Sequence, residues 1–248
     1  MEEKAQSHRI YNQSVDINLD TVKRFWEKRV DKDNLLGSVM LRDHDDIPRQ
    51  RDVHEKRLLE QILTCREEDV VLDIGCGVGR LADFFAERAG LYQGIDFISQ
   101  YIEGARQRYV SCPNVVFTEM SALDIREEGL SRQEYDIVVA TGLMMYLNDA
   151  DCEKLMRKLC RLVRKGGRVY LRESVSVVGM RLTLKDFFSD ELSVHYSAVY
   201  RTIGEYVNYF ENCLFANGFR LIKTDLLLTP ELGAREETNQ AYFYLLRE

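Results

Sequence analysis

Short apolar runs alternate with amphipathic stretches over most of the chain. One run, Val70–Ile74, breaks directly into three closely spaced glycines, Gly75, Gly77 and Gly79, which is typical of a buried strand that ends in a tight turn. A helical pattern follows the glycines. Strand, glycine turn and helix form the first crossover of a doubly wound sheet, in which ligands lie at the carboxyl ends of the strands. The pattern therefore predicts a small-molecule site at residues 70–80.

Six more apolar runs predict strands. They lie at residues 93–96, 115–118, 135–140, 168–173, 219–226 and 241–246. The loop between the last two runs is too polar and too short for a crossover helix, so these two strands are expected to be antiparallel. The sequence therefore predicts an α/β fold with a doubly wound, mostly parallel, seven-stranded sheet and an antiparallel C-terminal strand pair.

Capping residues predict where several helices begin and end. Asp20 is expected to cap the first helix, and Ser99 to cap the helix that follows the second strand. The spacing Thr202-x-x-Glu205 predicts a capping box. The helix after the fourth strand is expected to end in the basic residues and glycines at 164–167.

The chain is expected to form one domain with an N-terminal extension. Residues 1–50 would form a loose arm and a helix that carries Phe25 and Trp26. This helix would either pack on the domain for stability or form a lid over the ligand cleft. Residues 51–248 would form the domain itself. Within the domain, residues 174–200 show no regular period and are expected to form an insertion that covers the acceptor.

Charge and cysteine content argue against several classes of protein. The formal net charge of −7 over 248 residues argues against a nucleic-acid or anionic-membrane surface. The charged first residues and the lack of a long apolar run predict a cytoplasmic protein without a membrane segment. Six scattered cysteines without a CxxC pair predict reduced thiols. The acidic run at 43–46 is expected to be a solvated loop and not a metal site, because consecutive residues rarely converge on one ion.

Acidic and basic residues near the glycines narrow the choice of ligand. Asp96 ends the second strand about 20 residues beyond the glycines, where an acid accepts hydrogen bonds from ribose hydroxyls. Nicotinamide-dependent enzymes and methyltransferases both place an acid there. However, Arg80 occupies the position of the third glycine in the dinucleotide fingerprint. Asp73, just before the glycines, also suits a ligand with a positive amino group better than a pyrophosphate.

Five segments occur in a characteristic order: VLDIGCGVGR, YQGIDFI, MSALDI, YDIVVATGLMMYL and RKGGRVYLRES. Together they resemble the class I S-adenosylmethionine-dependent methyltransferase family, closely over about residues 53–173 and in pattern over 200–248. The resemblance implies a Rossmann-like methyltransferase fold, whose sheet also ends in an antiparallel pair. It further implies S-adenosylmethionine as cofactor and S-adenosylhomocysteine as product.

The resemblance also implies which residues would hold the polar part of the cofactor. Asp73 and the backbone at Gly75 and Gly77 would hold the methionine end. Asp96 would bind the ribose. The backbone at Thr141 would line the cleft near the sulfonium.

Four further residues would contact the adenine. Phe97 and Ile98 would lie against the ring, although both are also plausible core residues. Ser121 and Ala122 would meet its edge. The family often has an acid at the position of Ser121, so the contact there is expected to come from the backbone alone.

Methyl transfer from a sulfonium is an in-line displacement, so the protein mainly supplies alignment and excludes water. A base is needed only when the acceptor must lose a proton. Candidate catalytic residues follow the fourth and fifth strands or lie at the end of the chain's irregular segment. They are Tyr146, Glu173, His195, Tyr200 and Arg201, with His195 as the candidate base.

This polar cluster predicts a polar or anionic small-molecule acceptor, such as a sugar, amino or phosphorylated metabolite. Alternatively, these residues tie the insertion to the sheet through hydrogen bonds. For the whole chain, the alternatives are a protein methyltransferase of the same fold, a nicotinamide-dependent oxidoreductase and a non-catalytic binding module. No nucleic-acid or membrane partner is predicted, and the sequence leaves the oligomeric state open.

Overall fold

A computed structural model describes residues 8–31, 35–40, 46–190 and 192–248. Residues 43–45 of the acidic run lie outside the described residues. The described helices are α1 Leu19–Lys28, α2 Leu35–Met40, α3 Ile47–Ile62, α4 Ala82–Ala86, α5 Ser99–Arg108, α6 Asp149–Leu162 and α7 Ile203–Cys213. The described strands are β1 His8–Tyr11, β2 Val70–Ile74, β3 Leu91–Asp96, β4 Val115–Glu119, β5 Tyr135–Thr141, β6 Val163–Ser176, β7 Leu182–Ser189, β8 Val194–Tyr200, β9 Phe219–Leu226 and β10 Thr238–Arg247.

Seven of the strands form the central sheet, in the order β4-β3-β2-β5-β6-β10-β9. The first five strands of this order are parallel, and β10 lies antiparallel between β6 and β9. This topology confirms the predicted α/β fold with its C-terminal antiparallel pair. The chain moves to one side after β2 and to the other side with β5. A crevice for a ligand therefore opens at the carboxyl ends of β2 and its neighbours.

Helices cover both faces of this sheet. On one face, Leu155 and Leu159 of α6 and Phe210 of α7 lie in the core with the inward side chains of the strands. On the other face, Leu59 of α3 and Phe85 of α4 are fully buried. A sheet covered on both faces requires nearly continuous apolar strands, as the sequence shows.

A second, three-stranded sheet has the order β1-β7-β8. Residues 8–11 therefore form a strand antiparallel to β7, and the prediction of a loose arm is wrong there. The irregular segment 174–200 also contains two regular strands. Their period is hidden because the pairing of β7 with β8 shifts between Leu184 and Phe187, with Asp186 at a φ of 52°. A bulge of this kind breaks the alternation that identifies a strand.

Two predicted caps are displaced by one or two residues. Asn18, and not Asp20, caps α1, and its side chain accepts a hydrogen bond from the N–H of Thr21 at 3.0 Å. Helix α5 begins at Ser99 itself, with Ile98 as the extended cap residue. Both Asn and Asp are good caps, so residue type alone did not separate neighbouring candidates.

The end of α6 also differs from the prediction. Residues 163–167 already belong to β6, so the basic and glycine residues do not close the helix. The capping box at the start of α7 is confirmed, because the side chains of Thr202 and Glu205 each bind the other's backbone N–H. Within the described part of the chain, no helix is long and apolar enough to cross a membrane.

The three-stranded sheet packs against the edge of the main domain at the carboxyl ends of the strands. Val22 and Phe25 of α1, Tyr146 after β5 and Tyr196 of β8 share one hydrophobic cluster. The N-terminal helix, the turn after β5 and the β7–β8 hairpin therefore meet at one place. This place adjoins the crevice of the sheet.

Candidate active site

A cavity of about 360 Å³ lies at the carboxyl ends of the central strands. Its walls come from the glycine turn after β2, the ends of β3 and β5, helix α1 and the β7–β8 hairpin. The cavity brings together eleven of the fourteen residues predicted for the site: Asp73, Gly75, Gly77, Asp96, Phe97, Ile98, Ser121, Ala122, Thr141, Tyr146 and Tyr200. The other three, Glu173, His195 and Arg201, do not line it.

The glycine turn depends on backbone conformations that only glycine adopts easily. Gly75 and Gly77 have φ values of 75° and 54°, in the left-handed region. A Cβ on Gly77 would lie 3.0 Å from the Val39 side chain on α2. Asp96 fixes this turn, because its carboxylate accepts the N–H groups of Gly77 and Ile98, each at 2.9 Å. The predicted ribose acid therefore also organises the loops around the cavity.

Asp73 has a carboxylate oxygen that the protein does not satisfy. The residue is only 2% exposed. Its Oδ2 accepts a hydrogen bond from the Tyr92 hydroxyl at 2.7 Å, but Oδ1 has no partner among the described residues. Burial raises the pKa of Asp73 to about 6, and the Tyr92 hydrogen bond opposes that rise. A buried, partly satisfied carboxylate on a cavity wall favours a cationic group in the ligand.

Arg80 belongs to a buried ionic network that the sequence analysis missed. Its guanidinium lies 2.8 Å from both Asp52 and Glu55 on α3. Arg172 also contacts Glu55, at 3.2 Å. Burial would raise the pKa of Glu55, but the charges of Arg172 and Arg80 hold it below its ordinary value. The only signal in the sequence was the spacing of the two acids, three residues apart on one helix face.

Aromatic side chains form the half of the cavity that faces the hairpin. Trp26 and Tyr146 pack edge to face with ring centroids 5.2 Å apart. The hydroxyls of Tyr196 and Tyr200 lie 3.2 Å apart. Burial raises the pKa of Tyr200, the neighbouring tyrosines add to the rise, and the charge of Arg235 opposes it. Tyr200 is therefore a neutral hydrogen-bonding group at ordinary pH, within electrostatic range of the Arg235 cation.

Comparisons with known proteins agree with this geometry. A family model described as a methyltransferase domain matches residues 71–167. The sequence is 31% identical over 162 residues to phosphoethanolamine N-methyltransferase 1 of Caenorhabditis elegans, covering 65% of this chain and 33% of the relative. It is 30% identical over 160 residues to phosphoethanolamine N-methyltransferase 1 of Triticum aestivum, covering 61% of this chain and 30% of the relative.

Solved structures share the fold. Phosphoethanolamine N-methyltransferase 1 of Haemonchus contortus, in complex with phosphoethanolamine and S-adenosylhomocysteine, superposes with a TM-score of 0.70 at 21% identity. The match covers 91% of this chain and 48% of that one. Residues 71–167 therefore match a methyltransferase domain, and the chain shares the fold of this solved structure. The chain spans about a third of the length of the curated relatives it matches.

Glu173 holds the turn after β5 in place through hydrogen bonds to its backbone. It is fully buried, and its two carboxylate oxygens accept the N–H groups of Leu143, Met144 and Met145 at 3.0, 2.9 and 3.2 Å. Burial raises the pKa of Glu173, and these three hydrogen bonds oppose the rise. The catalytic contact predicted for Glu173 is corrected to a positioning role, because its oxygens are occupied by the backbone.

Arg201 holds the same turn from the other side. Its guanidinium donates to the carbonyl oxygens of Met144 and Leu147 at 2.8 and 2.9 Å, and pairs with Asp149 at 2.6 Å. The residue is fully buried and away from the cavity. Its predicted catalytic contact is therefore also corrected. Together, the two residues fix the turn that places Tyr146 in the cavity wall.

The residues just after this turn also hold the N-terminal segment of the described chain. Asn148 exchanges two hydrogen bonds with the backbone of Ile17, at 2.9 and 3.1 Å. Asp149 accepts from Ser14 and from Arg181, each at 2.7 Å. Burial alone would raise the pKa of Asp149, but these hydrogen bonds hold it well below its usual range. The segment that leads into helix α1 is therefore hydrogen-bonded to Asn148 and Asp149, and the segment that leads into the β7–β8 hairpin is hydrogen-bonded to Asp149.

His195 lies on the outer side of the hairpin, away from the cavity. Its side chain is 48% exposed, and its Nδ1 lies 3.0 Å from the carbonyl oxygen of Asp186. The structure does not support the predicted role as general base, because His195 is not among the residues that line the cavity. The alternation of β8 places Tyr196 and Tyr200 on the wall of the cavity and His195 opposite.

Proposed function

We propose that this chain transfers a methyl group from S-adenosylmethionine to a polar or anionic small molecule. The observation that carries the proposal is the unsatisfied Oδ1 of Asp73 beside the glycine turn. A carboxylate there suits the amino group of the methionine end, and the left-handed backbone at Gly75 and Gly77 leaves room for a close approach. When bound, the cofactor supplies a methyl group already activated by positive charge.

The remaining predicted contacts fit the adenosine part of the same cofactor. The two oxygens of Asp96 accept the N–H groups of Gly77 and Ile98, and a carboxylate has about four acceptor positions, which leaves capacity for a ribose hydroxyl. Phe97 and Ile98 would lie against the adenine, and Ser121 and Ala122 would meet its edge. Thr141, at the end of β5, would line the path between cofactor and acceptor. All of these residues line one cavity.

The acceptor would lie in the aromatic half of the cavity. Tyr146 and Tyr200 have pKa values raised by burial, so they retain their protons and position the acceptor through hydrogen bonds. Arg235 would attract an anionic group. Tyrosines that stay protonated are poor bases, which favours an acceptor whose attacking atom has a free lone pair, such as an amine. Phosphoethanolamine, named for the relatives, has both features and is the first candidate.

We further propose that residues 1–50 and the 174–200 segment act together as the cover of this acceptor half. Two contacts between these segments support a joint role. Strand β1 pairs with β7, and Phe25 packs on Tyr196 with ring centroids 5.9 Å apart. A cytoplasmic location and the absence of nucleic-acid and membrane partners stay predictions from the sequence.

The proposal is tested with purified chain and radiolabelled S-adenosylmethionine. Phosphoethanolamine is compared with ethanolamine, which lacks the anionic group, and with a peptide mixture. Methyl transfer to phosphoethanolamine, well above that to ethanolamine, is the expected result. Equal transfer to both amines would contradict the anionic acceptor, and transfer to peptide alone would favour a protein substrate. A chain that binds no S-adenosylhomocysteine in calorimetry would refute the proposed activity itself.

A further inference from the structure

A tyrosine that the cofactor motif does not include has a buried hydroxyl without a partner. Tyr101, on α5, is 2% exposed, and its hydroxyl makes no hydrogen bond with the described residues. Buried polar groups are nearly always hydrogen-bonded, so each exception requires a cause. A phenylalanine would fill the same space without leaving a polar atom unsatisfied. The hydroxyl therefore points to a partner beyond the described residues of the chain.

The position of Tyr101 indicates what that partner is. Tyr101 lines the cavity, as do Phe97 and Ile98 in the loop just before it. The charge of Asp96 adds to the effect of burial in raising the pKa of Tyr101, so the hydroxyl lies within electrostatic range of the predicted ribose acid. Of the described residues with such unsatisfied side-chain atoms, only Asp73 and Tyr101 line the cavity.

We propose that the Tyr101 hydroxyl forms a hydrogen bond with the ribose of the bound cofactor. The inference rests on the proposed function, because it assumes that an adenosyl group occupies this end of the cavity. Asp96 and Tyr101 would then hold the sugar from two elements, the end of β3 and the first turn of α5.

The same side chain connects the cofactor end to the acceptor half. Tyr101 packs on Trp26 with ring centroids 6.4 Å apart, and Trp26 in turn packs on Tyr146. A ligand that fixes Tyr101 therefore supports the wall of α1. Trp26 is the chain's single tryptophan, so its fluorescence reports on this wall.

The test compares Tyr101→Phe with wild type by calorimetric titration with S-adenosylhomocysteine. Thr183→Val is the matched control, because Thr183 is fully buried, has a hydroxyl without a described partner and lies away from the cavity. We expect about tenfold weaker binding by Tyr101→Phe, which corresponds to the loss of one hydrogen bond. The control is expected to bind within about twofold of wild type. The thermal midpoint of unliganded Tyr101→Phe should be unchanged or higher.

Ribose analogues locate the contact. S-adenosylhomocysteine lacking the 2′- or 3′-hydroxyl is titrated into both proteins, with Trp26 emission followed in parallel. The analogue that lacks the hydroxyl contacted by Tyr101 should bind wild type more weakly than S-adenosylhomocysteine does. Tyr101→Phe already lacks this hydrogen bond, so it should bind that analogue and S-adenosylhomocysteine with similar affinity. Equal binding of S-adenosylhomocysteine by Tyr101→Phe and wild type would overturn this inference alone. A lower thermal midpoint for unliganded Tyr101→Phe would also overturn this inference alone. Failure of wild type to bind S-adenosylhomocysteine would overturn the proposed function as well.

Discussion

Neutralising Asp73 should move stability and cofactor affinity in opposite directions. The Asp73→Asn variant keeps the size of the side chain and the oxygen that accepts from Tyr92, but it removes the charge. In wild type, burial holds the pKa of this carboxyl near 6, so the group is ionised at pH 7.5 against the preference of its site. The unliganded protein is therefore destabilised by the charge that the proposed contact with the cofactor requires.

The magnitude follows from the pKa. A change from 3.8 to about 6 corresponds to about 3 kcal/mol at a pH above both values. The amide of the variant leaves an N–H without a partner, which reduces the expected gain in unfolding free energy by about 1 kcal/mol. We expect Asp73→Asn to gain about 2 kcal/mol of unfolding free energy at pH 7.5. Because the folded pKa of Asp73 is raised, wild type is free of this penalty below pH 3.8, where the carboxyl is protonated in both states, and it loses stability as the pH rises through 6.

Urea unfolding at pH 7.5 and at pH 5, with calorimetric titration of S-adenosylhomocysteine, measures both effects. The gain in stability should shrink at pH 5, while affinity for S-adenosylhomocysteine falls at least tenfold at pH 7.5. Asp149→Asn is the control of opposite sign, because the ion pairs and hydrogen bonds of Asp149 lower its pKa. That variant should lose stability at both pH values. A less stable Asp73→Asn with unchanged affinity would refute the assignment of Asp73 to a cationic group.

Three further substitutions test other parts of the site. Asp96→Ala should weaken S-adenosylhomocysteine binding by about 1–3 kcal/mol in calorimetry, and unchanged affinity would contradict the ribose role. Glu173→Gln places an amide against the N–H groups of residues 143–145. The KM of the acceptor should therefore rise several-fold, while cofactor affinity stays within about twofold. Equal losses of acceptor and cofactor affinity would contradict a role confined to the acceptor half. Arg80→Gln leaves the buried Glu55 with fewer charge partners and should lose about 3 kcal/mol in urea unfolding, whereas a loss below about 1 kcal/mol would show that Arg172 suffices.

The central sheet could be predicted because its signals are local. The strand before the glycine turn, the acid at the end of β3 and the capping box of α7 each lie within a few consecutive residues. The pairing of His8 with Lys185 has no such signal, since it joins segments far apart in the chain. The bulge near Asp186 also hides the alternation of β7 from a sequence pattern. Non-local pairing and irregular register therefore account for what was missed in the fold.

The two halves of the cavity differ in the same way. The cofactor half consists of short motifs at the ends of β2, β3 and β5, so each residue could be placed from its neighbours in sequence. The acceptor half is assembled from α1, the turn after β5 and the hairpin, whose relative positions depend on Arg201 and Asp149. Arg201 and His195 were predicted to lie in the acceptor half from their residue types alone, and neither of them lines the cavity.

Three acidic residues at the strand ends show what separates a binding carboxylate from a positioning one. Glu173 accepts three backbone N–H groups and is fully buried. Asp96 accepts two, one on each oxygen, and still faces the cavity. Asp73 accepts one hydroxyl and leaves an oxygen without a described partner. All three occupy the edge of the sheet where ligands bind, so position alone nominates each of them. The number of lone pairs that the fold leaves unused decides which of them a ligand can recruit, and on this criterion we expect Asp73 and Asp96 to bind a ligand and Glu173 to support the turn after β5.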